Sequence, residues 1–331
     1  MKNFIKDTFT LGDTKVRNQQ IALNIAYGVD KNFIFGTAIS ITSVLINNED
    51  IPLAFHIFTD SIDSDNLDKF NQLAKLYNTM ITVYIIDPMT LSYLPVSDFW
   101  SHAIYFRLLA FDYLSNILGK VLYVDADIVC KGSLSSLLKI SLEEKFSAVV
   151  PDLEKTRENS AKRLGVEEFN ETYFNSGLIY ANLNKWEENN LSEYIFLLLK
   201  GNTKFGNLKY FDQDALNIAF GNNNIYLSRD FNCIYSIKNE LKARNNSDYK
   251  NTIKESTVFI HYTGVTKPWH KWASYESTSF FHQALLRSPW KDSPLKDAST
   301  RSEYQKRYKH ELRQRKYIYA LMHLINYKLK H

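Results

Sequence analysis

Val121-Leu122-Tyr123-Val124-Asp125-Ala126-Asp127 is the stretch on which the fold turns. Four apolar or aromatic residues in a row read as a buried strand, and two carboxylates two positions apart follow at its end. In extended backbone, residues i and i+2 point to the same side, roughly 6–7 Å apart along the chain. A modest bend lets both carboxylates reach one hard divalent cation. Ligands of open α/β sheets sit at strand C-termini. The stretch therefore points to a metal that neutralises a bound diphosphate; turn chemistry is the other use of an Asp-x-Asp in this position.

Strand and helix patterns alternate around it. Asn24–Val29, Leu53–Phe58 and Ile81–Ile86 read as strands, separated by helical stretches Phe33–Leu45 and Asn66–Tyr77, and a helix over His102–Leu114 precedes Val121. Four such alternations in about 125 residues predict an α/β, doubly wound sheet. Ala148–Val150, Gly177–Tyr180 and Thr257–Ile260 read as further strands, with helices near 185–200 and 212–220. Residues 1–22 are polar and read as an irregular extension, and Ser288–Pro294 as a turn-rich joint.

The 331 residues suffice for one large domain or two smaller ones with ample core. Two cysteines, Cys130 and Cys233, form neither a disulfide framework nor a zinc site and are expected to be reduced and structural. No run approaches the roughly 18 apolar residues of a membrane span, and the first residues lack the apolar core of a signal peptide, so a soluble, cytoplasmic protein is expected. Charge is uneven. Residues 291–331 hold eleven Lys/Arg against four Asp/Glu; with +4 overall, the body before them carries three net negative charges. Tyr304, Tyr308, Tyr317, Tyr319 and Tyr327 interleave this basic tail. It suits an anionic membrane surface or a nucleic acid, or a solvated helix packing its aromatic face on the body.

Rival chemistries are missing their residues. Gly28 stands alone where a dinucleotide fold needs Gly-x-Gly-x-x-Gly, and Asn207 replaces the lysine of the P-loop-like spacing Gly201/Gly206. There is neither a His-Glu-x-x-His zinc helix nor a Gly-x-Ser-x-Gly elbow. A second chemistry-bearing segment, His261-Tyr262-Thr263-Gly264-Val265-Thr266-Lys267-Pro268-Trp269, follows the apolar run Val258–Ile260. Its imidazole can ligate a metal, Gly264 permits close backbone approach to an anion, and Lys267 adds a positive charge.

Together the two segments resemble the family 8 glycosyltransferases, metal-dependent retaining enzymes of GT-A fold, with a Rossmann-like mixed sheet flanked by helices. The resemblance implies that Asp125, Asp127 and His261 hold Mn²⁺ against a nucleotide diphosphate, with Ala126 beside the donor and Gly264 and Lys267 on the diphosphate. Two carboxylates and one imidazole suit Mn²⁺ better than Mg²⁺, although Mg²⁺ stays open. Ala26-Tyr27-Gly28-Val29-Asp30-Lys31-Asn32 looks like the family's uridine-binding strand and turn, so Ala26, Gly28, Asp30 and Asn32 are donor-site candidates; a helix cap is the other reading of Asp30 or Asn32. Arg107, on an apolar helix, needs an acid partner, either as a structural ion pair or, by resemblance, against the donor sugar or an aspartate. Tyr173-Phe174-Asn175-Ser176-Gly177 resembles the element whose Asn, here Asn175, bonds the sugar; a bare turn is the alternative. Asp212-Gln213-Asp214 opens a helix, where capping alone explains one aspartate. The resemblance makes Asp212 and Gln213 catalytic, Asp212 holding sugar hydroxyls and Gln213 near the anomeric carbon.

The likeness extends from Asn24 through Trp272 into the tail, toward the branch that builds the lipopolysaccharide outer core. It implies a 1–22 extension, a catalytic domain over 23–272 and a basic helical C-terminal region over 273–331 that associates with the anionic inner leaflet of the inner membrane, from the cytoplasmic side. It further implies UDP-glucose as donor, a lipopolysaccharide core acceptor, an α-1,2 linkage and no nucleic-acid partner. UDP-galactose and a 1,3 linkage are the alternatives within the branch. A self-glucosylating priming protein would need an acceptor tyrosine on its own surface. A non-enzymatic binding module acting through the tail would leave Asp125, Asp127, His261 and Lys267 without a use.

Overall fold

The computed structural model describes residues 4–13, 20–96, 101–201 and 204–329. The chain runs β1 (Ile5–Leu11), β2 (Leu23–Val29), α1 (Ile34–Ile46), β3 (Leu53–Thr59), α2 (Ser64–Leu76), β4 (Met80–Ile86), α3 (Phe106–Leu114), β5 (Lys120–Val124) and β6 (Ile128–Cys130). It continues with β7 (Ser147–Pro151), α4 (Glu154–Leu164), α5 (Phe169–Thr172), β8 (Phe174–Asn182), α6 (Leu183–Glu188), α7 (Leu191–Leu199), α8 (Phe211–Phe220), β9 (Asn224–Tyr226), β10 (Cys233–Tyr235) and β11 (Phe259–Tyr262). Three helices end it: α9 (Ser279–Leu286), α10 (Arg301–Arg313) and α11 (Tyr317–Leu329).

An eight-stranded sheet has the order β1-β4-β3-β2-β5-β8-β7-β9, and a three-stranded sheet the order β10-β11-β6. β4, β3, β2 and β5 are parallel, whereas β1 and β8 run antiparallel to their neighbours, so the sheet is mixed. Helices cover both faces and divide the interior into two apolar layers. One packs α1, α2 and α9, with Phe55, Phe70 and Trp290 inside it; the other packs α3 and α6–α8, with Phe58, Phe111 and Trp186. Burial on both faces explains why β3 (Leu-Ala-Phe-His-Ile-Phe-Thr) is buried at every position. Its two polar residues are satisfied: His56 bonds Tyr84 Oη and Asn24 Oδ1, and Thr59 Oγ1 donates to Ser61 O.

Several expectations are corrected. The segment read as an irregular extension contains β1, which closes the sheet edge against β4; residues 1–3 and 14–19 lie outside the described residues. The helix expected over His102–Leu114 starts as a 3₁₀ turn, His102–Tyr105, and becomes α-helical at Phe106. The 185–200 helix is broken by Asn190, which adopts a left-handed conformation (φ +48°) between α6 and α7. The last core strand covers Phe259–Tyr262 rather than Thr257–Ile260, so His261 is a strand residue. The Ser288–Pro294 joint is packed: Trp290 is buried edge-on against Phe70 and donates its Nε1 hydrogen to Asn66 Oδ1 (2.8 Å). The basic tail is helical as expected; α10 and α11 form a hairpin.

Candidate active site

Strand order reverses between β2 and β5, the place where an open α/β sheet leaves a crevice beyond its strand ends. Asp125 leaves β5 with its backbone N–H still bonded to Gly177 O of β8 (2.9 Å). Ile128 N–H then donates to Asp125 O (3.1 Å), closing a β-turn that brings both aspartates to one side. Past the turn, β6 pairs antiparallel with β11, placing His261 opposite Ile128, and Tyr262 N–H donates to Asp127 O (2.9 Å). That register sets His261 Nε2 at 3.2 Å from Asp127 Oδ1. One ligand atom each from Asp125, Asp127 and His261 fall within 4.8 Å of one another.

The residues fit a divalent cation. An Nδ1–H of His261 donating to Asn232 Oδ1 (3.1 Å) leaves the Nε2 lone pair facing the carboxylates, the usual way a ligating imidazole is oriented. Gly177 keeps the cradle open: a Cβ there would lie 2.5 Å from His261 Cε1 and 2.9 Å from Asp125 Oδ2. Burial opposes ionisation of Asp127, but the Lys267 ammonium overcomes it and holds the carboxyl well below the usual range. Two carboxylates and one imidazole are a donor set for a divalent metal ion.

Arg107 ties this cluster to the second carboxylate site. Buried under the crevice, it reaches Asp125 Oδ1 through Nη2 (2.9 Å), Asp212 Oδ2 through Nε (3.2 Å) and Ser176 O through Nη1 (2.5 Å), and lies over the Tyr123 ring (4.7 Å). Burial disfavours its charge, but Asp125 and the surrounding groups push its pKa further up. It is thus both an ion-pair residue and an aspartate contact. Burial raises the Asp212 pKa, aided by Asp125 and opposed by Arg107.

Asp212 and Gln213 stand in the first turn of α8, both buried. Gln213 Oε1 accepts from Asn175 Nδ2 (3.2 Å) and from the Ser176 backbone N–H (3.0 Å), while its Nε2 donates to Asp152 Oδ2 (3.0 Å). Asn175 Oδ1 accepts from Asn232 Nδ2 (2.9 Å). A hydrogen-bonded chain therefore runs His261–Asn232–Asn175–Gln213–Asp152. Asp152 and Asn232 were not singled out in the sequence; their only local signal is a polar side chain beside apolar strands. Asp214 belongs elsewhere, bonded to Arg163, Tyr173 Oη and the Lys209 and Tyr210 amides.

On the other wall, Asp30 accepts from Asn32 N–H (2.9 Å) as a cap and from Ser101 Oγ (3.0 Å). Gly28 lies against the start of α3, where a Cβ would meet Arg107 N at 2.9 Å. Ala26 is fully buried in the layer under α3, and Ala126 is buried beside Gly36. Gly264 takes φ +95° after β11, and Lys267 Nζ reaches Asp127 Oδ2 (2.5 Å) and Tyr262 O (3.0 Å).

Known proteins resemble this chain in sequence and in fold. The model of glycosyl transferase family 8 matches residues 24–273 and that of the family 8 C-terminal region residues 275–331. A lipopolysaccharide 1,2-glucosyltransferase of Escherichia coli is 43% identical over 97% of this chain and 95% of its own length. A lipopolysaccharide 1,3-galactosyltransferase of Salmonella typhimurium is 39% identical over 92% of this chain and 90% of its own. In structure, the galactosyltransferase LgtC, solved with donor and acceptor sugar analogues, aligns with a TM-score of 0.67 at 22% identity, over 80% of this chain and 96% of that one. That likeness is one of fold. With both family models covering nearly the whole sequence over a GT-A framework, the chain belongs to glycosyl transferase family 8 and is a glycosyltransferase.

Proposed function

We propose that the protein transfers glucose from UDP-glucose to the outer-core oligosaccharide of lipopolysaccharide, in α-1,2 linkage and with retention at the anomeric carbon. The observation that carries the reading is the convergence of Asp125, Asp127 and His261 within 4.8 Å, joined through Arg107 to Asp212. The relatives named for glucose transfer to lipopolysaccharide, up to 44% identical, support the donor and the acceptor. UDP-galactose is the second reading, favoured by the 39% identity to a galactosyltransferase.

Asp125, Asp127 and His261 would hold Mn²⁺, which when bound supplies positive charge against the departing UDP. Asp212, fixed by Arg107 and Ser176 Oγ, presents a carboxylate to sugar hydroxyls. Gln213 is an amide, a weak nucleophile in itself, and its oxygen already accepts from Asn175 and Ser176. This favours attack on the front face: the acceptor oxygen bonds to the anomeric carbon as the bond to UDP breaks, and its proton passes to the leaving phosphate oxygen. The oxocarbenium-like character of sugar transfer places positive charge beside Asp212.

Attachment to the membrane surface is part of the proposal. Among the described residues no helix is long and apolar enough to cross a bilayer. On α11, however, Ile318, Leu321, Met322, Ile325 and Leu329 are exposed at one-face helical spacing, with exposed Arg313, Arg315, Lys316 and Lys328 nearby. Such a helix lies in the interface of an anionic leaflet, here the cytoplasmic face of the inner membrane. The deciding experiment is UDP release with Mn²⁺, comparing UDP-glucose with UDP-galactose on lipopolysaccharide lacking its outer-core hexoses. Turnover with UDP-glucose, abolished by EDTA, is expected; turnover with UDP-galactose alone would replace the sugar, and failure to bind UDP would end the reading.

A further inference from the structure

The C-terminal hairpin does more than present a surface, because α10 grips the loop that follows β11. Thr266, buried between Gly264 and Lys267, is held from two sides. Trp272 Nε1 donates to its Oγ1 (3.2 Å), and His310 of α10 faces the same oxygen through Nε2 (3.3 Å). His310 is fully buried, and its Nδ1 lies 2.8 Å from Tyr275 Oη. These partners fit one neutral imidazole: the Thr266 hydroxyl, already accepting from Trp272, donates to Nε2, and Nδ1–H donates to Tyr275.

Further contacts from α10 bear on the same loop. Gln314 Nε2 donates to Trp272 O (2.8 Å), and the Arg307 guanidinium lies over the Trp272 ring (5.9 Å). His270, which accepts from Lys267 N–H (3.1 Å), stacks on Trp272 (4.2 Å between centroids) and faces Glu303 at 4.0 Å. On the opposite wall, Lys296 from the segment before α10 bonds Asn32 O in the turn after β2.

We infer that His310 is a positioning residue for the donor site: through Thr266 it fixes the backbone between Gly264 and Lys267, so that the C-terminal hairpin forms a wall of the nucleotide pocket. The inference rests on the reading of this loop as the diphosphate contact. Preset in the folded chain, the loop binds its anion without first being ordered, which raises donor affinity by removing an entropic cost. Away from the loop, His323 of α11 bonds Glu311 (2.7 Å), the neighbour of His310, and holds the hairpin together.

The test measures UDP affinity by calorimetry in the presence of Mn²⁺ and amide exchange over residues 263–270, in the full chain. Thr266→Val removes the hydroxyl at nearly constant shape, His310→Phe removes both nitrogens, Thr266→Ser restores the hydroxyl, and His323→Asn loosens the hairpin away from the loop. Expected are a roughly tenfold weaker UDP affinity and faster loop exchange in Thr266→Val and His310→Phe. The double variant should be no worse than His310→Phe, and Thr266→Ser and His323→Asn should stay within about twofold of the parent. In turnover, the donor KM rises while the acceptor KM holds. Parent-like affinity and exchange in Thr266→Val and His310→Phe, with lowered Tm as the only change, would overturn the inference. So would an equal loss in His323→Asn, which would reduce the effect to general loosening. A parent chain that bound no UDP would end the donor reading, and loop exchange would still decide whether His310 anchors the loop.

Discussion

Lys267 reaches across 140 residues of sequence to pair its ammonium with the Asp127 carboxylate at 2.5 Å, inside the ligand cluster itself. The pair sets two demands against each other: the ammonium repels a bare cation but attracts a diphosphate. Lys267→Met is therefore expected to bind Mn²⁺ alone more tightly and UDP with Mn²⁺ more weakly, the second by about tenfold or more. Titration of Mn²⁺ by paramagnetic resonance, with and without UDP, reads both signs; movement of both affinities in the same direction would refute the argument.

Asn232 acts on the metal without touching it. Its Oδ1 lies 3.1 Å from His261 Nδ1 and its Nδ2 donates to Asn175 Oδ1. Asn232→Leu frees the imidazole to turn or change tautomer, and an apparent Mn²⁺ affinity lower by about 10–100-fold is expected. The Mn²⁺ dependence of turnover checks it, with far-ultraviolet circular dichroism verifying the fold. Unchanged Mn²⁺ dependence would show that β11 alone orients His261.

Acid sensitivity follows from three buried imidazoles. Burial pushes His56, His270 and His310 down to about 4 from 6.5. The unfolded chain takes up protons at these sites as pH falls through 6.5, whereas the fold resists until about 4. The unfolded state thus binds more protons in that window, and stability falls as pH drops across it. Each site contributes a loss of about 2 kcal/mol between pH 7 and 5. Urea unfolding at the two pH values should show a smaller loss in His56→Gln than in the parent; equal losses would mean His56 is not among the responsible groups.

Membrane attachment is separable from chemistry if α11 is the contact. Ile318→Glu with Ile325→Glu places two charges on its exposed stripe. Sedimentation with vesicles rich in anionic lipid is expected to lose most binding, while UDP release on a detergent-dispersed acceptor stays near the parent value. Retained vesicle binding would move the membrane contact off this helix.

Much of the sheet was legible because burial on both faces writes apolar runs into the sequence, as in Val121–Val124 and Leu53–Phe58. β1 was not, since Ile5–Leu11 is an edge strand, mostly exposed and polar, whose place depends on pairing with β4. The helical stretch 154–164, with only Ser160, Ala161 and Leu164 buried, carried too little apolar periodicity to be noticed. In the crevice, Asp125, Asp127, His261 and Lys267 were readable as a pattern. Asp152 and Asn232 were not, because their meaning lies in partners far along the chain.

The sequence by itself determined the family, the strand-end carboxylates and the basic, aromatic tail, all properties of residue type and local spacing. Tertiary structure decided which groups meet. Antiparallel pairing of β6 with β11 brought His261 to Asp127, the reversal between β2 and β5 opened the crevice, and docking of α10 placed His310 against Thr266. Register and helix docking are set by the sum of many weak packing contacts over the whole core, and no short stretch of sequence contains that sum.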